Sequence, residues 1–224
     1  MSVGGDHMPP GASTVGPPAT PAVRVKICGV RSVADALAAT AAGADMVGLN
    51  FHPGSKRYVE CDEAVRIAES LPAGVWCVGV FVDRSREEIE QVRGRVRLDA
   101  IQLHGDEPAE MLRGWPVPVI RALRLRSAEQ ASGLASGPVA DFFLCEGASD
   151  RGHGGVGARF DWDWARVFPA ARLFLAGGLD PANVAEAVRT VRPFAVDVAS
   201  GVESSPGVKE PARVAEFVKN AKAA

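Results

Sequence analysis

Short apolar runs alternate with amphipathic stretches along most of this chain, and this alternation limits its fold more than any other feature. From residue 22 onward the apolar runs are rich in β-branched residues, which is typical of buried strands, and the stretches between them show helical periodicity. The runs predict eight strands: Val23–Ile27, Met46–Asn50, Val75–Phe81, Ala100–Leu103, Val119–Leu123, Asp141–Cys145, Leu173–Ala176 and Phe194–Val198. The stretches predict eight helices: Ser32–Ala42, Asp62–Ser70, Arg86–Val92, Ala109–Trp115, Ser127–Ala135, Trp162–Phe168, Pro181–Val191 and Lys209–Lys219.

Strict alternation of strands and helices indicates a parallel sheet with helices on its outside. An open sheet of this kind usually carries a glycine fingerprint after its first strand, whereas the first strand here runs into Cys28-Gly29-Val30-Arg31. A single closed (β/α)8 TIM barrel of the α/β class is therefore predicted for residues 22–224. In residues 1–21, nine of the 21 positions are Gly or Pro, which predicts a disordered tail because such a segment cannot offset its ordering entropy by burial.

Charge and cysteine usage exclude several classes of function. The formal net charge of −2 gives no reason to expect a nucleic-acid or membrane-surface partner, and no apolar run approaches the roughly 20 residues of a membrane span. The amino terminus lacks the basic start and apolar segment of a secretory signal, so we expect a cytoplasmic protein with reduced thiols. The four cysteines form neither a CxxC pair nor a Cys/His cluster with zinc spacing, so no metal site is predicted.

The inner face of a barrel can be read from the alternation of side chains along each strand. In the first strand, Arg24, Lys26 and Cys28 share one face, and the apolar set on the other face suits the helix layer. The polar set then points inward, with Cys28 nearest the C-terminal mouth, where barrel enzymes carry their active sites. Gln102 and His104 share the inward face of the fourth strand in the same way.

Five segments at or just after the carboxyl ends of predicted strands carry the chemistry. They are Lys26-Ile-Cys-Gly29, Gly48-Leu-Asn-Phe-His-Pro-Gly-Ser-Lys-Arg57, Gln102-Leu-His-Gly105, Ala176-Gly-Gly-Leu-Asp180 and Asp197-Val-Ala-Ser-Gly201. In this order and spacing they resemble phosphoribosylanthranilate isomerase, the barrel enzyme family of tryptophan biosynthesis, from about residue 22 to the end of the chain. The resemblance implies an Amadori rearrangement of N-(5-phosphoribosyl)anthranilate to 1-(2-carboxyphenylamino)-1-deoxyribulose 5-phosphate by general acid and base, without a cofactor.

The resemblance makes Cys28 the general base; otherwise it is a buried core cysteine. Glu146 stands where the family has an aspartate as general acid, which keeps the carboxyl group but adds one methylene. Since a displacement of about 1 Å at a catalytic group can cost about 10²-fold in rate, this change is not neutral unless the structure compensates for it. The glycine-rich loop between Gly147 and Phe160 is predicted to act as a lid or to be a long surface turn, and its Gly154-Gly-Val-Gly157 lacks the family's hydroxyl.

Three further side chains are candidates for substrate binding. By resemblance, Arg57 holds the anthranilate carboxylate, a role that suits the bidentate geometry of a guanidinium; otherwise it is a solvated loop charge. Asp197 contacts the sugar hydroxyls by resemblance, or is a structural carboxylate bonded to Lys26. His104 lies near the substrate or is a satisfied histidine.

Two glycine-containing turns predict a phosphate site. Gly177 and Gly178 follow the seventh strand, and Ser200 and Gly201 follow the eighth. Glycines let backbone N–H groups approach an anion closely, and barrels often bind phosphate in the loops after these two strands. The alternative is a pair of ordinary turns.

Two other functions remain open from the sequence alone. A divergent barrel enzyme could act on a different phosphorylated or anthranilate-like substrate in secondary metabolism, as Glu146 and Val156 suggest, or a non-catalytic barrel could keep only the phosphate site. The expected partner is a small phosphosugar, and the expected state is a monomer or homodimer.

Overall fold

A closed barrel of eight parallel strands forms the molecule, and the computed structural model describes residues 22–148 and 160–224. Each strand pairs with the next one in the sequence, and the eighth pairs with the first. The strands are β1 Arg24–Cys28, β2 Met46–Asn50, β3 Trp76–Phe81, β4 Ala100–Leu103, β5 Val119–Leu125, β6 Phe142–Gly147, β7 Leu173–Leu175 and β8 Ala195–Val198. The predicted TIM barrel is confirmed, while the predicted tail over residues 1–21 lies outside the described residues.

Six α-helices lie in the described part of the chain, and serine caps explain where three of them begin. The helices are α1 Val33–Ala41, α2 Cys61–Ser70, α3 Arg86–Arg93, α4 Ala128–Ala135, α5 Val184–Val191 and α6 Pro211–Lys222. The side chains of Ser32, Ser85 and Ser127 each accept a hydrogen bond from a backbone N–H in the first turn that follows. Such caps satisfy donors that a helix start otherwise leaves unpaired.

Two of the predicted helices are wrong, because only short 3-10 turns form there. Ala109–Leu112 replaces the predicted Ala109–Trp115, and Gly114 just beyond it takes a φ of +75°, which a continuing helix cannot accommodate. Trp162–Val167 replaces the predicted Trp162–Phe168, and the extended Phe168 precedes a proline, which disfavours helical backbone. Local sequence breakers therefore override the apolar periodicity at both places.

A short antiparallel hairpin follows β8 and was not predicted. It pairs β9 Glu203–Ser205 with β10 Val208–Lys209, so the last helix begins at Pro211 rather than at Lys209. The predicted helix over Pro181–Val191 likewise begins only at Val184. The hairpin brings two buried charged side chains, Glu203 and Lys209, to the mouth of the barrel.

The core has two layers, as the strand alternation predicts. Val25 and Ile27 belong to the large layer between strands and helices, whereas Lys26 points into the barrel and is 0% exposed. The inner apolar residues form a separate cluster: Met46, Val78, Ala100, Ile120, Leu144, Phe174, Ala176 and Ala195. At the amino-terminal end, the Arg24 guanidinium lies 5.8 Å from the Trp76 ring and 5.2 Å from the Phe194 ring. The inner apolar cluster thus fills the barrel between Arg24 at its amino-terminal end and the group of polar side chains at its carboxyl end.

None of the helices in residues 22–148 and 160–224 is long and apolar enough to cross a membrane.

Candidate active site at the carboxyl ends of the strands

A buried ion pair joins β1 and β8 beneath the mouth of the barrel. Lys26 and Asp197 are paired in register, and Lys26 Nζ donates a hydrogen bond of 2.8 Å to Asp197 Oδ1. Burial by itself lowers the pKa of Lys26, but the Asp197 carboxylate and the Cys28 thiol together raise it above its usual value. Lys26 therefore stays charged, and the bond predicted as one alternative for Asp197 is present.

Cys28 lies two residues beyond Lys26 on the same face of β1, opposite Gly48 on β2. A Cβ atom on Gly48 would lie 2.9 Å from Cys28 Sγ and 3.0 Å from Lys26 Nζ, so thiol and ammonium share the space that this glycine leaves open. Burial raises the pKa of the Cys28 thiol, and the neighbouring Lys26 only partly opposes this. The raised pKa keeps Cys28 in its neutral thiol form until alkaline pH.

Glu146 ends the inner face of β6, after Phe142 and Leu144, which pack in the inner cluster. Its Oε1 lies 2.9 Å from His104 Nε2. Gln102 Nε2 lies 2.7 Å from the other ring nitrogen, His104 Nδ1. The structure therefore brings together two residues that were predicted separately, Glu146 and His104, and adds Gln102, whose inward position was visible in the strand alternation.

Arg57 is held at the mouth by a residue that the sequence did not reveal. Its Nε and Nη2 each donate a 2.8 Å hydrogen bond to the two carboxylate oxygens of Glu203, and Lys209 Nζ donates to Glu203 Oε1 at 2.8 Å. Burial opposes ionisation of Glu203, but Arg57 and Lys209 together lower its pKa below the usual value. The Arg57 side chain also packs over Gly29, which has a φ of +72°. It occupies the space that a Cβ atom on residue 29 would need.

Glu203 and Lys209 were missed because their signal is weak. Lys209 fits the start of a predicted helix, and Glu203 stands 146 residues from Arg57 in the sequence. The one signal in the sequence is the position of Glu203, a charged residue two places after Gly201 of the last motif.

The two glycine turns proposed for phosphate lie against each other. Gly177 and Gly178 have φ values of +79° and +66°, in the left-handed region that favours glycine. Gly201 approaches the carbonyl oxygen of Leu179 so closely that no side chain fits there. Asn183 stabilises the first turn, since its Nδ2 donates a 2.8 Å hydrogen bond to the Gly178 carbonyl.

Ser200 begins a 3-10 turn, Ser200–Val202, which carries the second glycine turn directly after β8. Gly177, Gly178, Ser200 and Gly201 are all partly exposed, so a ligand at the mouth can reach them. Phosphate binding by these four residues stays a prediction.

Other predicted features fall away from the site or outside the described residues. Cys77 and Cys145 pack in the outer core layer, where burial raises the pKa of Cys77 to about 12 and that of Cys145 further still. In residues 22–148 and 160–224, no three His, Cys, Asp or Glu side chains are grouped to hold a metal ion. The loop proposed as a lid, with Gly154-Gly-Val-Gly157, lies largely outside the described residues.

Comparison with known proteins gives a consistent result over nearly the whole barrel. A family model described as N-(5'-phosphoribosyl)anthranilate (PRA) isomerase matches residues 25–220. The N-(5'-phosphoribosyl)anthranilate isomerase of Geobacter sulfurreducens is 46% identical over 201 residues, which cover 89% of this chain and 98% of that relative.

Two solved structures extend this comparison to the fold. Phosphoribosyl anthranilate isomerase from Thermotoga maritima has a TM-score of 0.80 at 42% identity, covering 90% of this chain and 100% of that chain. A phosphoribosyl anthranilate isomerase in complex with reduced 1-(o-carboxyphenylamino)-1-deoxyribulose 5-phosphate has a TM-score of 0.77 at 40% identity, with the same coverage of 90% and 100%.

Proposed function

This chain belongs to the N-(5'-phosphoribosyl)anthranilate isomerase family, and we propose that Cys28 is the general base and Glu146 the general acid of its reaction. The chain is an aldose–ketose isomerase of tryptophan biosynthesis, and a different substrate in secondary metabolism is not favoured. One observation carries the residue assignment. A thiol beside a buried lysine on β1 and a carboxyl group on β6 both point inward at the same end of one barrel.

The proposed chemistry needs one proton donor and one proton acceptor. Glu146 gives a proton to the furanose ring oxygen, the C1–O bond breaks, and the nitrogen lone pair forms a C=N⁺ bond. Cys28, as thiolate, removes the proton from C2, and the electron pair of that C–H bond forms C1=C2 while the nitrogen recovers its lone pair. The resulting enolamine loses the proton of its C2 hydroxyl and gains a proton at C1, which gives the aminoketose. Proton exchange with solvent then returns Cys28 to the thiolate and Glu146 to the acid. General acid and base groups contribute about 10²–10⁴-fold each to such a reaction.

The binding groups surround this pair. Asp197, fixed by Lys26, is proposed to accept from the sugar hydroxyls. Arg57 uses two of its N–H donors on Glu203, and the guanidinium donors that remain are proposed to hold the anthranilate carboxylate. Gly177, Gly178, Ser200 and Gly201 are proposed to bind the phosphate through backbone N–H groups, which suits the close approach that these glycines allow.

Two further predictions concern the setting of the enzyme. We infer that it works in the cytoplasm with reduced thiols, since all four of its cysteines are free, which suits a reducing compartment. Its ligand is a small phosphosugar, and it acts as a monomer or homodimer.

The test follows the fluorescence of N-(5'-phosphoribosyl)anthranilate, which is lost on turnover. We expect the wild type to consume the substrate and Cys28→Ala to lose at least about 10²-fold in kcat. Cys61→Ala is the matched control, because Cys61 packs against the core layer outside the barrel and should leave kcat unchanged. A folded wild type without turnover would refute the activity, and a fully active Cys28→Ala would refute the role of the base.

A further inference from the structure

A hydrogen-bonded chain of three side chains crosses the mouth of the barrel from β4 to β6. Gln102 on β4 is 0% exposed, and the side chains of His104 and Glu146 are only 12% and 11% exposed. β5 lies between these two strands, so the 2.9 Å bond from His104 to Glu146 passes over β5 without involving any of its side chains. Such a bond depends on how far the carboxylate reaches inward.

The longer side chain at position 146 makes this reach possible. An aspartate has one methylene less, which withdraws the carboxylate by up to about 1.5 Å. Added to 2.9 Å, that withdrawal takes the contact beyond hydrogen-bond range. The bond to His104 is therefore a property of glutamate at this position.

Both ring nitrogens of His104 are engaged, which decides what the residue can do. Nδ1 faces the Gln102 amide and Nε2 faces Glu146, so neither is left for a substrate while these bonds persist. With the Gln102 amide nitrogen donating to Nδ1, the neutral ring carries its proton on Nε2 and donates it to the Glu146 carboxylate.

The same chain also suits the protonated acid. If the Gln102 amide turns, its oxygen accepts from an Nδ1–H, and Nε2 becomes an acceptor for the proton of Glu146. The Gln102 Oε1 atom is buried and has no hydrogen-bond partner among the described residues, so no existing bond of that oxygen resists the turn.

We propose that His104, oriented by Gln102, is a positioning residue that holds the longer acid Glu146 in place in both of its protonation states. His104 acts through Glu146 and touches no reacting atom. In this way the fold compensates for the extra methylene. The proposal rests on the proposed function, because it concerns the acid of that reaction.

The test compares His104→Ala in the Glu146 chain and in the Glu146→Asp variant, with kcat and KM measured by substrate fluorescence. In the Glu146 chain we expect kcat to fall about 10- to 100-fold with KM within about twofold, because an interaction that orients the acid in the transition state is lost. In the Glu146→Asp variant the same change should cost less than about threefold, since the shorter arm does not reach His104.

A conservative variant separates positioning from loss of packing. His104→Gln keeps an amide donor near the place of Nε2 and should recover most of kcat, while thermal unfolding confirms that each variant is folded. The proposal is overturned by a rise in KM at constant kcat, which would mark a substrate contact. Equal losses in both backgrounds would overturn it too. A fully active Glu146→Ala would instead refute the proposed acid, so the two failures are distinguishable.

Discussion

Replacing Gly48 by alanine tests whether the thiol and the ammonium really occupy one small space. The Cβ of an alanine at position 48 would lie 2.9 Å from Cys28 Sγ and 3.0 Å from Lys26 Nζ. Ordinary van der Waals contacts between such atoms begin at about 3.5 Å. Sγ must therefore move by about 0.6 Å and Nζ by about 0.5 Å. Overpacking of this kind costs about 1–3 kcal/mol of stability.

The effect on catalysis should exceed the effect on folding. Since a displacement of about 1 Å can cost about 10²-fold, Gly48→Ala should lose about 10- to 100-fold in kcat by the fluorescence assay while still unfolding cooperatively. Gly133→Ala is the matched control: it lies in α4, a Cβ there meets nothing within 4 Å, and alanine is favoured in a helix by about 1 kcal/mol. Wild-type kcat in folded Gly48→Ala would refute the inferred geometry.

Four further outcomes follow from the charges and thiols of the structure. In the wild type, the ultraviolet thiolate absorbance that Cys28→Ala removes should rise only at alkaline pH, because burial raises the pKa of the Cys28 thiol; a thiolate already fully formed at neutral pH would contradict this assignment. Lys26→Met should move that rise to higher pH, because Lys26 lowers the thiol's pKa, and should cost about 3 kcal/mol by leaving a buried carboxylate unpaired, as urea unfolding would measure. Glu203→Gln should raise KM about 10-fold at nearly constant kcat, since it frees Arg57; an unchanged KM would argue against this support. Cys77→Val should flatten the loss of stability above pH ~8.5, because the folded pKa of about 12 lies above the unfolded value and the unfolded thiol ionises first; an unaltered slope in alkaline melts would count against it.

Local patterns in the sequence predict most of the barrel. Met46–Asn50 and Ala100–Leu103 are predicted with the bounds that the structure shows, because each is a short apolar run whose ends are marked by polar residues. Side-chain alternation also places Cys28 at the mouth, since a period of two needs no knowledge of distant residues. The two failed helices show the limit of this approach, because a proline or a glycine nearby decides between one turn and several.

The contacts between the functional side chains depend on the closed barrel. Glu203 binds Arg57 across 146 residues, and Lys26 binds Asp197 across 171. The second contact could be named as an alternative because both residues lie on predicted inward faces. The first could not, because it needs a hairpin that carries no clear local signal.

The sequence alone therefore determines the alternating architecture, the identity of the inward-facing residues and the family motifs at the strand ends. Only the tertiary structure decides which of these side chains bond to each other. The bond between Glu146 and His104 shows why: its length depends on the register of three neighbouring strands and on the reach of one methylene. Register is set by closure and packing of the whole barrel, which no short stretch of sequence contains.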